Sequence, residues 1–210
     1  MRTIRHWTPH YIRDRIAVKL YERRYPVFFF KQKTAYEILE TYLHRSDVGL
    51  EFGSGRSTVW FARRVAHLTS VEHDAAWATK VREMLDHARL SNVSYRLVPM
   101  DVPEDEGDRA AYVRIANDVP DASLDFCLVD GVYRSYCALA SMPKLRVGGV
   151  LIIDNVNWFL PHTSRSPDSR SPKAGPRDAV WFRVHDLLQG WRCIWTSSGV
   201  TDTAFYFRPG

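Results

Sequence analysis

The residues with the most obvious capacity for chemistry are five acids, each placed where an apolar run gives way to a turn: Glu51, Glu72, Asp101, Asp130 and Asp154. The first opens the stretch Glu51-Phe52-Gly53-Ser54-Gly55-Arg56-Ser57-Thr58, whose glycines permit a tight turn and close approach of a ligand. Roughly twenty residues later, Val71-Glu72-His73-Asp74 closes a second apolar run, the position from which a carboxylate takes ribose hydroxyls. The turn lacks the third glycine of the dinucleotide fingerprint, and Arg56 stands where a pyrophosphate-binding turn does not require it. The pattern therefore favours a nucleoside-bearing ligand without a pyrophosphate. A single acid at a strand end is commonly a loop cap, whereas repetition at strand after strand predicts a common site.

These acids need a frame. Val48–Phe52, Leu68–Glu72, Val93–Val98, Leu124–Val129 and Val150–Ile153 read as buried strands. Between them lie helical patterns running from Thr58 to Val65, from Trp77 to Leu85, around Ala110–Ala116, and from Tyr136 to Leu145, the last leading into a Gly148-Gly149 turn. Ser57 or Thr58 supplies a cap for the first of these helices. Strands alternating with helices predict an α/β fold: a Rossmann-like, doubly wound, mostly parallel seven-stranded sheet. Its last two strands, Trp191–Ser197 and Thr203–Arg208, form a C-terminal antiparallel hairpin after a helix over Ala179–Leu188. Residues 161–178, rich in Ser, Pro and Arg, cannot build a core and predict a flexible loop, either a substrate lid or a disordered insertion.

Residues 1–44 read as an N-terminal helical extension and 45–210 as the domain proper. The extension carries apolar stripes at Ile16, Leu20 and Tyr21 and at Ala35, Ile38, Leu39 and Tyr42, with the aromatic run Val27–Phe30 between them. Phe29 to Ile38 resembles the translation of a common sequencing-adapter DNA, so no site residue is placed before about residue 39.

A chain of 210 residues that is 45% apolar fits one domain with a full core. The net charge of +5 is concentrated at Arg2, Arg5, Arg13, Lys19, Arg23, Arg24, Lys31 and Lys33. Without a recognised module ordering those bases among stacking aromatics, they read as a solvated face, and no nucleic-acid partner is expected. Cys127, Cys137 and Cys193 are far apart in apolar surroundings and read as buried thiols, with neither a disulfide framework nor metal spacing. The start lacks a secretory core and no apolar run is long enough to span a membrane, so a cytoplasmic protein with no membrane partner is expected. Oligomeric state is open.

Two motif clusters, the Glu51–Thr58 stretch followed by Glu72, and Leu128-Val129-Asp130-Gly131 with Gly148-Gly149-Val150-Leu151-Ile152-Ile153-Asp154-Asn155, resemble those of the class I S-adenosylmethionine-dependent methyltransferases. Within that family the likeness is greatest to small-molecule O-methyltransferases of the catechol type, and it spans residues 45–208. The resemblance implies S-adenosylmethionine as cofactor, with Glu51, Gly53 and Gly55 around its amino-acid end. Ser57 would contact the same end or cap the helix. Glu72 would take the ribose hydroxyls and His73 would lie beside adenine. Asp101 would receive the adenine amino group, with Val102 beside the ring, and Asp130 counts among the cofactor residues as well.

The resemblance further implies an Asp130, Asp154, Asn155 oxygen set for Mg²⁺ or Ca²⁺, hard ions suited to such ligands. This chain departs from the family by following Asp130 with Gly131-Val132-Tyr133-Arg134 in place of an Asp-Lys segment. Without an ion, Asp130 is a general base or orients substrate, and Asp154-Asn155 holds a turn. The implied reaction is methyl transfer from S-adenosylmethionine to an oxygen of a small molecule bearing a hydroxyl, metal-assisted or not. Asp130 leads as the catalytic residue, with His162 second. Tyr133, Arg134, Trp158 and His162 are acceptor contacts, and Trp158 with Phe159 forms either an aromatic wall or core. Two alternatives stand beside this: an NAD or sugar-nucleotide enzyme on the same fold, and a methyltransferase-like interaction domain without catalysis. An RNA methyltransferase is disfavoured, since neither an appended RNA-binding domain nor an Asn-Pro-Pro-Tyr-type tetrad is present.

Overall fold

A computed structural model describes residues 33–210. The expected stripe at Ile16, Leu20 and Tyr21, the run Val27–Phe30 and the basic positions before Lys33 lie outside the described residues. In chain order the elements are α1 (Lys33–Tyr42), β1 (Val48–Phe52), α2 (Arg56–Ala62), β2 (His67–Glu72), α3 (Ala75–His87), β3 (Val93–Leu97), α4 (Ala111–Arg114), β4 (Leu124–Val129), α5 (Arg134–Ser141), β5 (Leu145–Asp154), α6 (Ala179–Leu188), β6 (Arg192–Ser197) and β7 (Asp202–Phe207). The strands form a seven-stranded sheet in the order β3-β2-β1-β4-β5-β7-β6. Strands β1 to β5 run parallel, and β7 lies antiparallel between β5 and β6. The expected mostly parallel Rossmann-like sheet with a C-terminal hairpin is what the chain adopts.

Strand parity explains the layering. Leu50, Phe52, Val71, Cys127, Val129, Leu151 and Ile153 pack with Tyr112, Ala138, Trp181 and Val184 from α4, α5 and α6. The alternate positions Leu68, Phe126, Leu128, Val150, Ile152 and Phe205 pack with Leu39 of α1 and with Phe61 and Val65. Central strands covered on both faces must be largely apolar on both, which is why β4 is apolar at every position but Asp125 and is buried throughout. Asp125 accepts the Val48 N–H at 2.7 Å and pairs with Arg146. The same alternation sends Glu51, between Leu50 and Phe52, to the α2 face.

The structure corrects several expectations. The Gly148-Gly149 turn is an irregularity within β5, where Gly148 adopts φ +79 and the β4–β5 register shifts between Leu124 and Phe126. Helix α5 stops at Ser141, with Met142–Lys144 a single 3-10 turn, because Pro143 cannot continue the ladder. Helix α2 begins at Arg56, so Gly55 is its N-cap; Thr58 Oγ1 accepts the Gly55 N–H at 2.9 Å, and Ser57 does not cap. Residues 161–178 are tied down rather than loose: His162 N–H donates to Arg170 O, Arg170 N–H to Asn157 O, and Arg177 N–H to Phe159 O. Cys193 is exposed on edge strand β6, while Cys127 and Cys137 are buried as expected. Among the described residues no helix is long and apolar enough to cross a membrane.

Candidate functional site

The strand order reverses between β1 and β4, the place where open α/β sheets leave a crevice beyond their carboxyl ends. The loops leaving these two strands touch there. Gly53 adopts φ +95, and a Cβ on it would lie 2.5 Å from Gly131 N, so only glycine serves. Asp130 N–H donates to Phe52 O at 2.8 Å and Gly53 N–H to Val71 O at 2.9 Å, fixing both turns.

Beside this junction opens a cavity of about 460 Å³, within the usual range for small-molecule sites. Ser54, Gly55, Arg56, Ser57 and Trp77 form one side, and Asp130, Asp154, Asn155 and Thr203 the other. Leu128, Ile152 and Phe205 supply an apolar floor, and Ala35, Tyr36 and Leu39 of α1 complete the wall. At Gly55 an added Cβ would meet nothing closer than 3.9 Å, so this turn presents open backbone to the cavity.

Glu51 lies behind that wall. It is fully buried and accepts from Ser57 Oγ (2.5 Å), Thr58 Oγ1 (2.6 Å) and Ser70 Oγ (2.6 Å). Burial, opposed by those hydroxyls, pushes its carboxyl up from 4.5 to about 7. Glu51 is absent from the cavity wall and hydrogen-bonds Ser57, which is on it.

Glu72 is placed in the same way. Its Oε2 accepts from Ser54 N–H (3.1 Å) and Ser54 Oγ (2.9 Å), and its Oε1 from the N–H groups of His73 (2.8 Å) and Asp74 (2.9 Å). These contacts shape the β2 turn and leave Glu72 only 3% exposed. His73 Nδ1 sits 2.9 Å from Oε1 but makes no hydrogen bond, its angle being unsuitable. Ser54 Oγ also lies 2.7 Å from Tyr95 Oη, a second partner that would free Glu72.

Around Asp130 the charges are concentrated. Its side chain is 40% exposed, facing the cavity, while protein encloses it elsewhere. Partial burial raises its pKa above the usual carboxylate range, the neighbouring Asp154 carboxyl adds to this, and Arg134 opposes it. Arg134, expected as an acceptor contact, is engaged with the protein itself. Its Nη2 donates to Asp130 Oδ1 (2.9 Å) and Asp130 O (2.7 Å), its Nη1 to Asp154 O (2.6 Å) and Asn155 Oδ1 (3.2 Å), and its Nε to Gly131 O (2.9 Å). Asp154 Oδ1 accepts from Thr203 Oγ1 at 2.5 Å. The expected Asp130, Asp154, Asn155 oxygen set does not fit a divalent ion in this arrangement, because a guanidinium already faces two of its three members. Among the described residues no group of three or more His, Cys, Asp or Glu side chains is placed to hold a metal.

The remaining expected residues are dispersed. Tyr133 is buried in the core with its hydroxyl donating to Val102 O at 2.5 Å, and so does not reach an acceptor. Asp101 accepts from Ala111 N–H, a helix-start contact, and His73 meets Tyr112 edge-on at 6.3 Å. Trp158 is 39% exposed away from the cavity wall, and Phe159 stacks on Trp181 at 4.6 Å as core. His162 stacks on Trp195 at 4.1 Å and is not among the residues of the cavity wall. Thus Gly55, Ser57, Asp130, Asp154 and Asn155 share one cavity, with Glu51 and Glu72 each a hydrogen bond behind it. Sequence reasoning missed Ser54, Trp77, Thr203 and the α1 wall. Ser54 was signalled by its place between the two fingerprint glycines; Trp77 joins through its Nε1 bond to Ser54 O, 2.8 Å.

No protein-family model matches the chain, and no characterised protein sequence matches it. Solved structures do. A methyltransferase-like protein from Silicibacter pomeroyi is 24% identical over 86% of this chain and 89% of that one, with a TM-score of 0.55. A methyltransferase from Geobacter sulfurreducens is 15% identical, covering 94% and 89%, with a TM-score of 0.58. An rRNA methylase from Streptococcus thermophilus is 10% identical, covering 83% and 93%, with a TM-score of 0.54. At these identities the likeness is one of fold alone, a fold this chain shares with these methyltransferase structures.

Proposed function

We propose that this chain transfers a methyl group from S-adenosylmethionine to an oxygen of a small molecule bearing a hydroxyl. The observation that carries the reading is the cavity at the strand-order switch, with the open Gly55–Ser57 turn on one side and Asp130 on the other. Bound S-adenosylmethionine supplies a methyl carbon already activated by its sulfonium, so the protein's work is alignment and exclusion of water.

Alignment falls to the residues behind the wall. Glu51 orients Ser57 toward the amino-acid end of the cofactor, and Gly55 leaves room for it. Glu72 receives the ribose hydroxyls as Ser54 Oγ turns to Tyr95. In this reading His73, Asp101 and Val102 border the adenine end, outside the present cavity wall. Leu128, Ile152 and Phe205 keep water from the acceptor side. Asp130 takes the acceptor's hydroxyl proton, since it faces the cavity and a carboxylate whose pKa is raised above the usual range is a stronger base. The neighbouring Asp154 carboxyl raises the proton affinity of Asp130. The test is calorimetric titration with S-adenosylhomocysteine, then a methyl-transfer screen over phenols, sugars and other hydroxyl compounds. A folded protein that binds neither S-adenosylhomocysteine nor S-adenosylmethionine would end this reading and bring NAD and sugar nucleotides forward.

A further inference from the structure

We infer that Arg134 is a built-in cation that occupies the ion position of this cavity, so that the site works without a divalent metal. The guanidinium has five N–H groups and makes five hydrogen bonds, to Gly131 O, Asp130 O, Asp130 Oδ1, Asp154 O and Asn155 Oδ1. No single-point ammonium could bridge two strand ends in that way. Its planar face lies 5.7 Å from the Phe159 ring, and its side chain is only 16% exposed.

The backbone is shaped to deliver it. Tyr133, immediately before Arg134, takes φ +50, and Asn155 takes φ +54. Non-glycine residues rarely adopt this conformation, and here both occur at the two strand ends that the guanidinium joins. The turn at Tyr133 starts α5 close over β4, so that Arg134 folds back across the carboxyl ends of β4 and β5.

The consequence is chemical. An ion bound by Asp130, Asp154 and Asn155 would require the oxygens that Arg134 and Thr203 now engage, and would sit against a fixed positive charge. Arg134 also sets the Asn155 amide. With Oδ1 accepting from the guanidinium, Nδ2 is buried and without a partner, on a residue of the cavity wall. The Asn155 oxygen is thus turned to the guanidinium rather than to an ion, a claim that does not depend on the methyl-transfer reading.

The experiment is titration of the full chain with Mn²⁺, read by the electron paramagnetic resonance of the free ion. Wild type is expected to leave the free-ion signal undiminished at stoichiometric Mn²⁺. Arg134→Ala is expected to bind one ion per chain, at least an order of magnitude more tightly than wild type, and to lose it again when Asp154→Asn is added. Arg134→Met, which keeps the stem packed toward Phe159, replaces the alanine variant if that one does not fold. Stoichiometric Mn²⁺ binding by wild type that disappears in Asp154→Asn overturns the inference, as does a folded Arg134 variant that gains no ion. Neither result depends on cofactor binding, so failure here is distinguishable from failure of the methyltransferase reading.

Discussion

Replacing Glu51 with glutamine should flatten the dependence of stability on pH. In the folded chain burial holds this carboxyl at about 7, against 4.5 for an unhindered one. Between those two values the folded state keeps a proton that the unfolded state has released. Glu51 therefore supports the fold fully below pH 4.5, and that contribution is lost as pH rises to about 7, with no further change above. At ~1.4 kcal/mol per pH unit the loss comes to about 3 kcal/mol. Glutamine keeps the shape and still accepts from one or two of the hydroxyls of Ser57, Thr58 and Ser70, but does not ionise. Relative to wild type, Glu51→Gln should thus gain about 3 kcal/mol between about pH 4.5 and about pH 8, or roughly 6–12 °C in Tm for a chain of this size. Taking the difference between the two proteins cancels titrations that do not sense Glu51, whereas Asp130, which Glu51 helps to raise, cancels only in part. Thermal and urea unfolding across that range would measure it. Parallel curves for the two proteins would refute the argument that this carboxylate is buried without adequate compensation.

Other perturbations reach separate parts of the account. Asp130→Asn should leave S-adenosylhomocysteine affinity within a few-fold while lowering methyl transfer by roughly 10²–10⁴, the usual contribution of a positioned base; an unchanged rate would remove Asp130 from that role. Glu72→Ala strands the N–H groups of Ser54, His73 and Asp74, and should cost on the order of 3 kcal/mol in denaturant unfolding as well as weakening cofactor binding. Asp202→Ala deletes the buried acceptor of Ser166 Oγ (2.5 Å) and Trp195 Nε1 (2.8 Å), and limited proteolysis should then cut within residues 161–178 faster than in wild type.

Much of the architecture was legible because central strands covered on both faces must be largely apolar on both. The runs Val48–Phe52 and Leu124–Val129 coincide with β1 and β4 for that reason. The start of β5 was not, since Arg146-Val147-Gly148-Gly149 has the composition of a turn and forms an irregular stretch between the Leu145 and Val150 pairs with β4, held by Gly148 N–H to Arg208 O and Arg208 N–H to Gly149 O. Glu51's direction was implicit in the alternation Leu50, Glu51, Phe52, but its burial depends on Ser70 from the neighbouring strand. Arg134 was hidden, because its course follows from left-handed backbone at Tyr133 and Asn155, residues whose types do not announce it. In residues 161–178 polar composition suggested freedom, whereas Ser166 is anchored by Asp202, thirty-six residues away. The α1 wall lay in a segment whose likeness to a translated adapter had removed it from consideration.

The most direct measurement is calorimetric titration of S-adenosylhomocysteine into the purified, cofactor-stripped protein and into Gly55→Leu. An added Cβ at Gly55 has open space, and its φ of 173 suits any residue, so the leucine should fill the cavity without lowering Tm. Micromolar binding by wild type and none by a folded Gly55→Leu is the expected result, tying the ligand to this turn. Absence of binding to the folded wild type, or equal binding by the two proteins, would contradict the account.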